Sequence, residues 1–259
     1  MDQDRIAQLL AQYTPITLSE MDGVKLLDRM DTKYVFNSSE LPSALEQMLT
    51  EYRVLELDGI GSGSPRRSSE YRSLYFDTAE RKHFFDHHNG RTFRSKVRMR
   101  EYVGSDLFYL EVKRKTGRGR TDKVRIKAER MAETLTAEQL VFVHKASRCD
   151  GVLEAVLWNQ FSRITLVHHT RPERLTIDLG LHFKHSGGEQ HLKGVCVAEL
   201  KQEHGDQRSP FARLMRSHGI RPAGMSKYCV GMLLINDPHV KHNAFKAVLL
   251  RLERMRPAA

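Results

Sequence analysis

Five successive stretches of this chain place charged residues, mostly cations, two positions apart, and that period belongs to β-strands. Across residues 93–102, Arg94, Lys96, Arg98 and Arg100 share one face, with Phe93, Ser95, Val97 and Met99 on the other. Across 107–115, Glu111, Lys113 and Lys115 oppose Leu110 and Val112; across 123–128, Lys123, Arg125 and Lys127 oppose Val124 and Ile126. Arg174, Thr176 and Asp178 oppose Leu175, Ile177 and Leu179, and Glu199 and Lys201 oppose Ala198 and Leu200.

Two architectures accommodate this pattern. One is a sheet whose polar face meets water. The other closes the sheet into a barrel of about eight strands, charged face inward. Two cations about 4 Å apart repel by roughly 4 kcal/mol at an effective dielectric near 20. A cationic lumen therefore calls for a polyanion, and a chain of phosphates suits Arg forks and Lys point charges. Acids enter the same faces as E-x-K, at Glu111/Lys113 and Glu199/Lys201. Carboxylates beside phosphates call for a divalent cation between them, of the oxygen-preferring Mg²⁺ or Mn²⁺ kind.

Composition supports a polyanionic partner without choosing one. The 259 residues carry 42 Lys and Arg against 32 Asp and Glu, a net charge of +10. The length suits one large barrel with attached helices, and no linker or repeat divides it. Cys149, Cys196 and Cys229 form no CxxC pair, which argues against a disulfide framework or zinc cluster and fits a reducing cytoplasm. The N-terminal residues lack a signal-peptide pattern, and no apolar run reaches the roughly 18 residues that span a bilayer.

Periodicity and turn chemistry predict the remaining elements. Helices are expected at 4–13, 39–52 with Ser39 as N-cap, 79–88 behind Asp77-Thr78, 136–144 and 151–158. Strands are expected at 30–36, 71–76, 93–102, 107–115, 123–128, 162–169, 174–183 and 194–202. Closing helices are expected at 210–218, 228–236 and 240–255. Residues 59–69 are rich in Gly and Ser and read as a loop; their glycines lack Rossmann or Walker spacing.

The segments RMDTKYVF (29–36), YRSLYFDT (71–78), GRTFRSKVRMREY (90–102), LEVKRK (110–115), RLTIDLGLHF (174–183), VAELKQ (197–202) and MSKY (225–228) resemble, in order, the VTC domain. This is the polyphosphate-polymerase domain of the vacuolar transporter chaperone family, one of the triphosphate tunnel metalloenzymes. The resemblance implies an α+β fold in a single domain: a closed, mostly antiparallel barrel over about 29–228 forming a charged tunnel, with surrounding helices and C-terminal helices over about 228–256. It implies transfer of the ATP γ-phosphate to a growing polyphosphate chain with Mn²⁺ or Mg²⁺. Catalytic roles fall to Arg98, Arg100, Lys113 and Lys201. Phosphate binding falls to these four together with Lys33, Lys123, Arg163, Arg174 and Lys227. Metal binding falls to Glu199 and Glu111.

One departure matters. The related CYTH phosphatases begin with E-x-E-x-K, where this chain has Arg29-x-Asp31-x-Lys33. Losing the first acid favours the polymerase branch over a hydrolase of tripolyphosphate or nucleoside triphosphates, which is the alternative. A non-catalytic polyphosphate- or RNA-binding protein is a rival of another class. The basic run 113–127 lacks the interleaved aromatics of RNA binders, so nucleic acid is not the expected partner. His87-His88 and His168-His169 match no metal-ligand spacing, and Asp77 is assigned to helix capping rather than metal. The last helix carries Phe245, Val248, Leu249 and Leu252 on one face, which suits docking on the barrel, with membrane-surface association as the alternative.

Overall fold

The computed structural model describes residues 3–23, 29–59, 65–117, 121–203 and 208–256, with Asp22 and Arg29 described by their backbone alone. The chain opens with α1 (Gln3–Gln12), β1 (Pro15–Ile16), α2 (Leu18–Gly23), β2 (Arg29–Asn37), α3 (Leu41–Met48) and β3 (Tyr52–Leu55). It continues through β4 (Ser69–Asp77), α4 (Lys82–His88), β5 (Arg94–Tyr102), β6 (Leu107–Lys115), β7 (Thr121–Ala128) and α5 (Ala137–Ser147). Then follow β8 (Glu154–His168), β9 (Arg174–His185), β10 (Gly188–Leu192), β11 (Val195–Glu203), α6 (Pro210–Ser217), α7 (Lys227–Leu234) and α8 (Lys246–Arg254).

The strands form one 11-stranded sheet, larger than the eight strands expected. Its main path runs β2-β11-β9-β8-β4-β5-β6-β7, and every pairing along it is antiparallel. The architecture is therefore α+β, as the resemblance implies. The expected closure is not made: among the described residues no ladder joins β7 to β2. The outer edge of β2 is met elsewhere, since the Lys33 carbonyl accepts from Ala223 N–H (2.8 Å) in the segment leading to α7. Lys33 on β2 is close enough to Lys113 and Lys96 to lower both.

Three of the four apolar clusters among the described residues fix the layers. Leu175, Ile177, Leu200 and Ile164 pack beneath the apolar stripes of α1, α3 and α6. Leu74, Val97, Met99, Leu110 and Val112 pack beneath Val143 of α5. Both clusters use the faces opposite the cations. The third lies on the charged side: Val35, Tyr75, Phe161 and Val197 meet Tyr228, Cys229 and Met232 of α7, which plugs one end of the trough. Gly231 permits this approach, since a Cβ there would fall 2.5 Å from Leu157 and 2.6 Å from Phe183. The apolar face of α8, with buried Leu252, packs on the same cluster, so the last helix is docked.

Bulge chemistry alters β9. Gly180 has φ +64°, and the β8–β9 register shifts between Gln160 and Ser162. The extra residue reverses which side chains face inward. Leu175, Ile177 and Leu179 belong to the cluster under α1, α3 and α6, whereas Leu181 and Phe183 belong to the plug around α7.

Several local expectations are corrected. Residues 151–158 are not a helix; β8 begins at Glu154 and runs 15 residues, paired to β4 from its first residue, with Val156 and Leu157 in the cluster around α7 and Ala155 and Trp158 in the one under α5. Ser39 is not an N-cap: Asn37 accepts from Ser39 N–H (2.9 Å) and caps a 3₁₀ turn, and α3 starts at Leu41. That helix ends at Met48 rather than Tyr52, which opens β3. Residues 79–81 precede α4 instead of belonging to it. Within 59–69, residues 60–64 lie outside the described set, Leu57 and Arg66 bridge, and Ser69 already starts β4. Among the described residues no helix is long and apolar enough to cross a membrane.

Candidate functional site

Strand alternation aims a set of charged side chains into the trough, and they fall into three groups. In the first, β6 supplies Glu111, directly across from Arg98 on β5 and Arg125 on β7. Arg98 contacts Glu111 Oε2 through Nη2 (2.7 Å) and Nε (2.8 Å), and Lys123 Nζ lies 2.5 Å from Oε1. Burial alone would raise the Glu111 carboxyl; Arg98, Arg100 and Lys123 outweigh it and hold it at about 2. Burial works against Arg98 too, but Glu111 and then Tyr75 pull it above its ordinary value. Glu111, expected at a metal, thus spends both oxygens on cations.

The second group surrounds Asp178 on β9. Arg163 on β8 donates from Nε to Oδ1 (2.5 Å) and from Nη2 to Oδ2 (2.8 Å), and Lys227, first residue of α7, donates to Oδ2. Against burial, Arg163 and then Lys227 hold the Asp178 carboxyl well below the usual range. Burial pushes Lys227 down to about 8 despite Asp178. The floor is aromatic: Tyr71 and Phe161 stack at 5.3 Å. Arg163 lies 5.0 Å over the Tyr71 ring, Lys227 4.5 Å over Phe161, and Arg100 5.2 Å over Tyr71. Arg100 is buried, donates from Nε to Ser73 Oγ (3.2 Å), and is lowered to about 10 by burial and by Arg98.

The third group joins the two ends of the strand path. Glu199 on β11 sits directly across from Lys33 on β2, and Lys201 across from Arg174, which opens β9. Lys201 Nζ contacts Glu199 Oε1 and lies 3.2 Å from Asp31 Oδ2. Against burial, Lys201, then Lys33 and Lys113, hold Glu199 well below the carboxylate range. Lys33, Lys96 and Lys113 make no ion pair among the described residues; Lys33 and Lys113 both act on Lys96, and Lys33 acts on Lys113. Lys96 is half-buried. Loss of hydration, opposed by Cys229 and reinforced by Lys33, Lys113 and Arg98, lowers it to about 7. Lys113, whose tip still meets solvent, is lowered by lost hydration and then by Lys33.

The sequence-predicted site residues on strands therefore share the charged face, and Lys227 reaches it from α7. Lys96, Asp31, Asp178, Ser73, Tyr71 and Phe161 join them. Lys96 and Asp178 carried a signal, since each lies two positions from a chosen residue or shares its strand face; the aromatic floor carried none. Asp77 stays out. It is buried beneath α4, where it accepts from His83 N–H (2.7 Å) and Phe84 N–H (2.9 Å), and Tyr228 OH donates to it. Neither His87–His88 nor His168–His169 joins a metal-ligand group among the described residues.

The donor chemistry suits a hard divalent ion at one place. Asp31 and Glu199 converge on a single cation position, now held by the Lys201 ammonium. Two carboxylates open to solvent on one side are what Mg²⁺ or Mn²⁺ takes when it keeps several waters.

The VTC domain family model matches residues 28–236. No curated protein matches the chain. Similar solved structures include a Bacillus halodurans protein provisionally named an adenylate cyclase, 14% identical, covering 77% of this chain and 94% of its own, with TM-score 0.49. A protein from Hippeastrum, provisionally named an adenylyl cyclase and described with a dominant triphosphatase activity, is 14% identical, with 83% and 100% covered and TM-score 0.43. A Pyrococcus horikoshii protein is 9% identical, with 79% and 98% covered and TM-score 0.42.

Proposed function

Because the chain belongs to the VTC domain family, we propose that it is a polyphosphate polymerase, moving the ATP γ-phosphate onto the end of an inorganic polyphosphate chain lying in the basic trough. The observation that carries this reading is the trio Lys33, Lys96 and Lys113. Three lysines with no ion-pair partner among the described residues share one space, at a repulsive cost that a bound polyanion removes. A phosphate chain lying between β2 and β5–β7 would complete the tunnel without a hydrogen-bonded seam. We take the whole chain as one such domain, acting in the cytoplasm where ATP is made.

In this reading Lys33, Lys96, Lys113 and Lys123 neutralise non-bridging oxygens at one end. Arg98 and Arg100 grip the phosphates from β5, and Arg163, Arg174 and Lys227 guide the chain toward the plugged end. Glu199, with Asp31, would hold Mg²⁺ or Mn²⁺, which when bound adds charge neutralisation on the phosphates. An oxygen of the acceptor's terminal phosphate bonds to the γ-phosphorus, the bond to the β,γ-bridging oxygen breaks, and ADP leaves. The acceptor is already ionised, so no general base is needed. Positioning and charge stabilisation by the basic side chains do the rest.

The test is incubation with ATP and Mn²⁺, with and without a short polyphosphate primer, with products resolved on a gel. Long chains plus ADP are expected. Free phosphate without chains would overturn the polymerase in favour of a triphosphatase. Tripolyphosphate at a hundred times its Kd should also add about 2.7 kcal/mol of stability, visible as a raised Tm.

A further inference from the structure

The reversal of facing at Gly180 turns His182 and Lys184 away from the plug and onto the outer surface of the β9–β10 hairpin. A two-residue connection, Ser186-Gly187, joins the strands and sets their register, with His185 across from Gly188. That register puts His182 directly opposite His191. Their rings lie parallel, 1° apart in orientation, with centroids at 4.0 Å. Glu189, two residues before His191 and therefore on the same face, places Oε1 2.7 Å from His182 Nε2 and 3.5 Å from His191 Nε2. Donor atoms of all three residues lie within 4.8 Å of one another.

We propose that His182, Glu189 and His191 form a second metal site, independent of the trough and selective for a borderline divalent ion such as Zn²⁺. Two imidazole nitrogens and one carboxylate oxygen are a zinc donor set, whereas Mg²⁺ and Mn²⁺ prefer oxygen alone. A tetrahedral ion with bonds of about 2.0–2.1 Å keeps its ligands roughly 3.3 Å apart. The two carboxylate–imidazole separations already bracket that value; closure requires the stacked rings to tilt so that both Nε2 lone pairs meet at one ion. Lys184 Nζ lies 4.0 Å from Glu189 Oε2, on the side of the carboxylate away from the two imidazole contacts to Oε1. The fourth position faces solvent. Because the ligands come from both strands of the hairpin, the ion would clamp the end of β9 whose other half carries Asp178.

The test is to load the full chain with Zn²⁺ in excess Mg²⁺, dialyse, and quantify retained zinc by atomic emission alongside the Tm. One zinc per chain and a raised Tm are expected. Both should be lost in His191→Ala and Glu189→Gln and kept in Glu199→Gln, with zinc affinity at least tenfold weaker in the first two. His191 is largely exposed, so its removal leaves the fold in place. Zinc kept by His191→Ala, zinc lost with Glu199→Gln, or no retained zinc in the unaltered protein would each overturn the proposal.

Discussion

Arg163 holds Asp178 through two parallel hydrogen bonds, of 2.5 and 2.8 Å, from adjacent strands on the trough face. Lys227 adds a second cation to the same carboxylate, so one buried anion secures two cations and ties α7 to the sheet. Asp178→Asn leaves both cations without their counter-charge. The expected loss is about 3–5 kcal/mol, read from urea unfolding at neutral pH. The sign with pH follows from the lowered carboxyl: its contribution is present above the ordinary Asp value of 3.8 and fades as pH falls below it. The acid-side fall in stability should therefore be shallower in Asp178→Asn; an unchanged acid limb would sink the assignment.

Lys96 sets function against stability. Its ammonium is lowered to about 7, so above that pH the unfolded chain binds a proton that the folded chain does not. Stability attributable to this lysine should rise between about pH 7 and 10.5, the reverse of a salt-bridged lysine. Lys96→Met should raise the ligand-free Tm at pH 6 and weaken tripolyphosphate binding. Binding to the unaltered protein at pH 8 should take up protons, detected by calorimetry in buffers of different ionisation enthalpy. Equal heats in all buffers would remove Lys96 from the ligand's path.

Glu199→Gln removes a charge from the Asp31–Lys201–Glu199 cluster and keeps its shape. ADP release from ATP should fall by roughly a hundredfold or more, as when a group aimed at the reacting charge is lost. The Tm should fall by less than in Asp178→Asn, because Lys201 retains Asp31 and Glu199 is more exposed than Asp178. A large fall in Tm with proportionate loss of activity would make the residue structural.

Gly231→Ala separates packing from helix propensity. Alanine in an exposed helix interior favours the helix by about 1 kcal/mol over glycine. Here the new methyl meets Leu157 and Phe183 at 2.5–2.6 Å, so the expected sign is opposite, a loss of about 1–3 kcal/mol by thermal or urea unfolding. A stabilised variant would mean that α7 can move off the plug.

Strand alternation made the charged face legible, because a two-residue period is a local property of the backbone. Arg98, Arg100, Glu111, Lys113, Glu199 and Lys201 could all be placed on their faces without knowing their neighbours. Their partners could not. That Glu111 serves Arg98 and Lys123, and that Lys227 crosses from a helix to Asp178, depends on register between strands distant in sequence. The same limit explains residues 151–158. Their apolar spacing fits a helix in isolation, and only the adjoining β4 and β9 make them a strand. The open seam was hidden as well, since the Ala223 bond that meets the edge of β2 involves an irregular segment.

The bulge at Gly180 divides β9 into halves with opposite tolerance to substitution. Before it, odd-numbered positions are covered by helices and even-numbered ones look into the trough. After it, Leu181 and Phe183 fill the plug while His182 and Lys184 meet solvent. A saturation scan of the strand should thus report a change of phase at a single residue. Charged side chains should survive at 182 and 184 and fail at 181 and 183. Deleting Gly180 removes the extra residue, so plain alternation from Leu179 should keep Leu181 and Phe183 inward and His182 and Lys184 outward, with only the local bend lost. One extra residue, held in a conformation accessible cheaply only to glycine, thus shifts the phase of a continuous strand by one position.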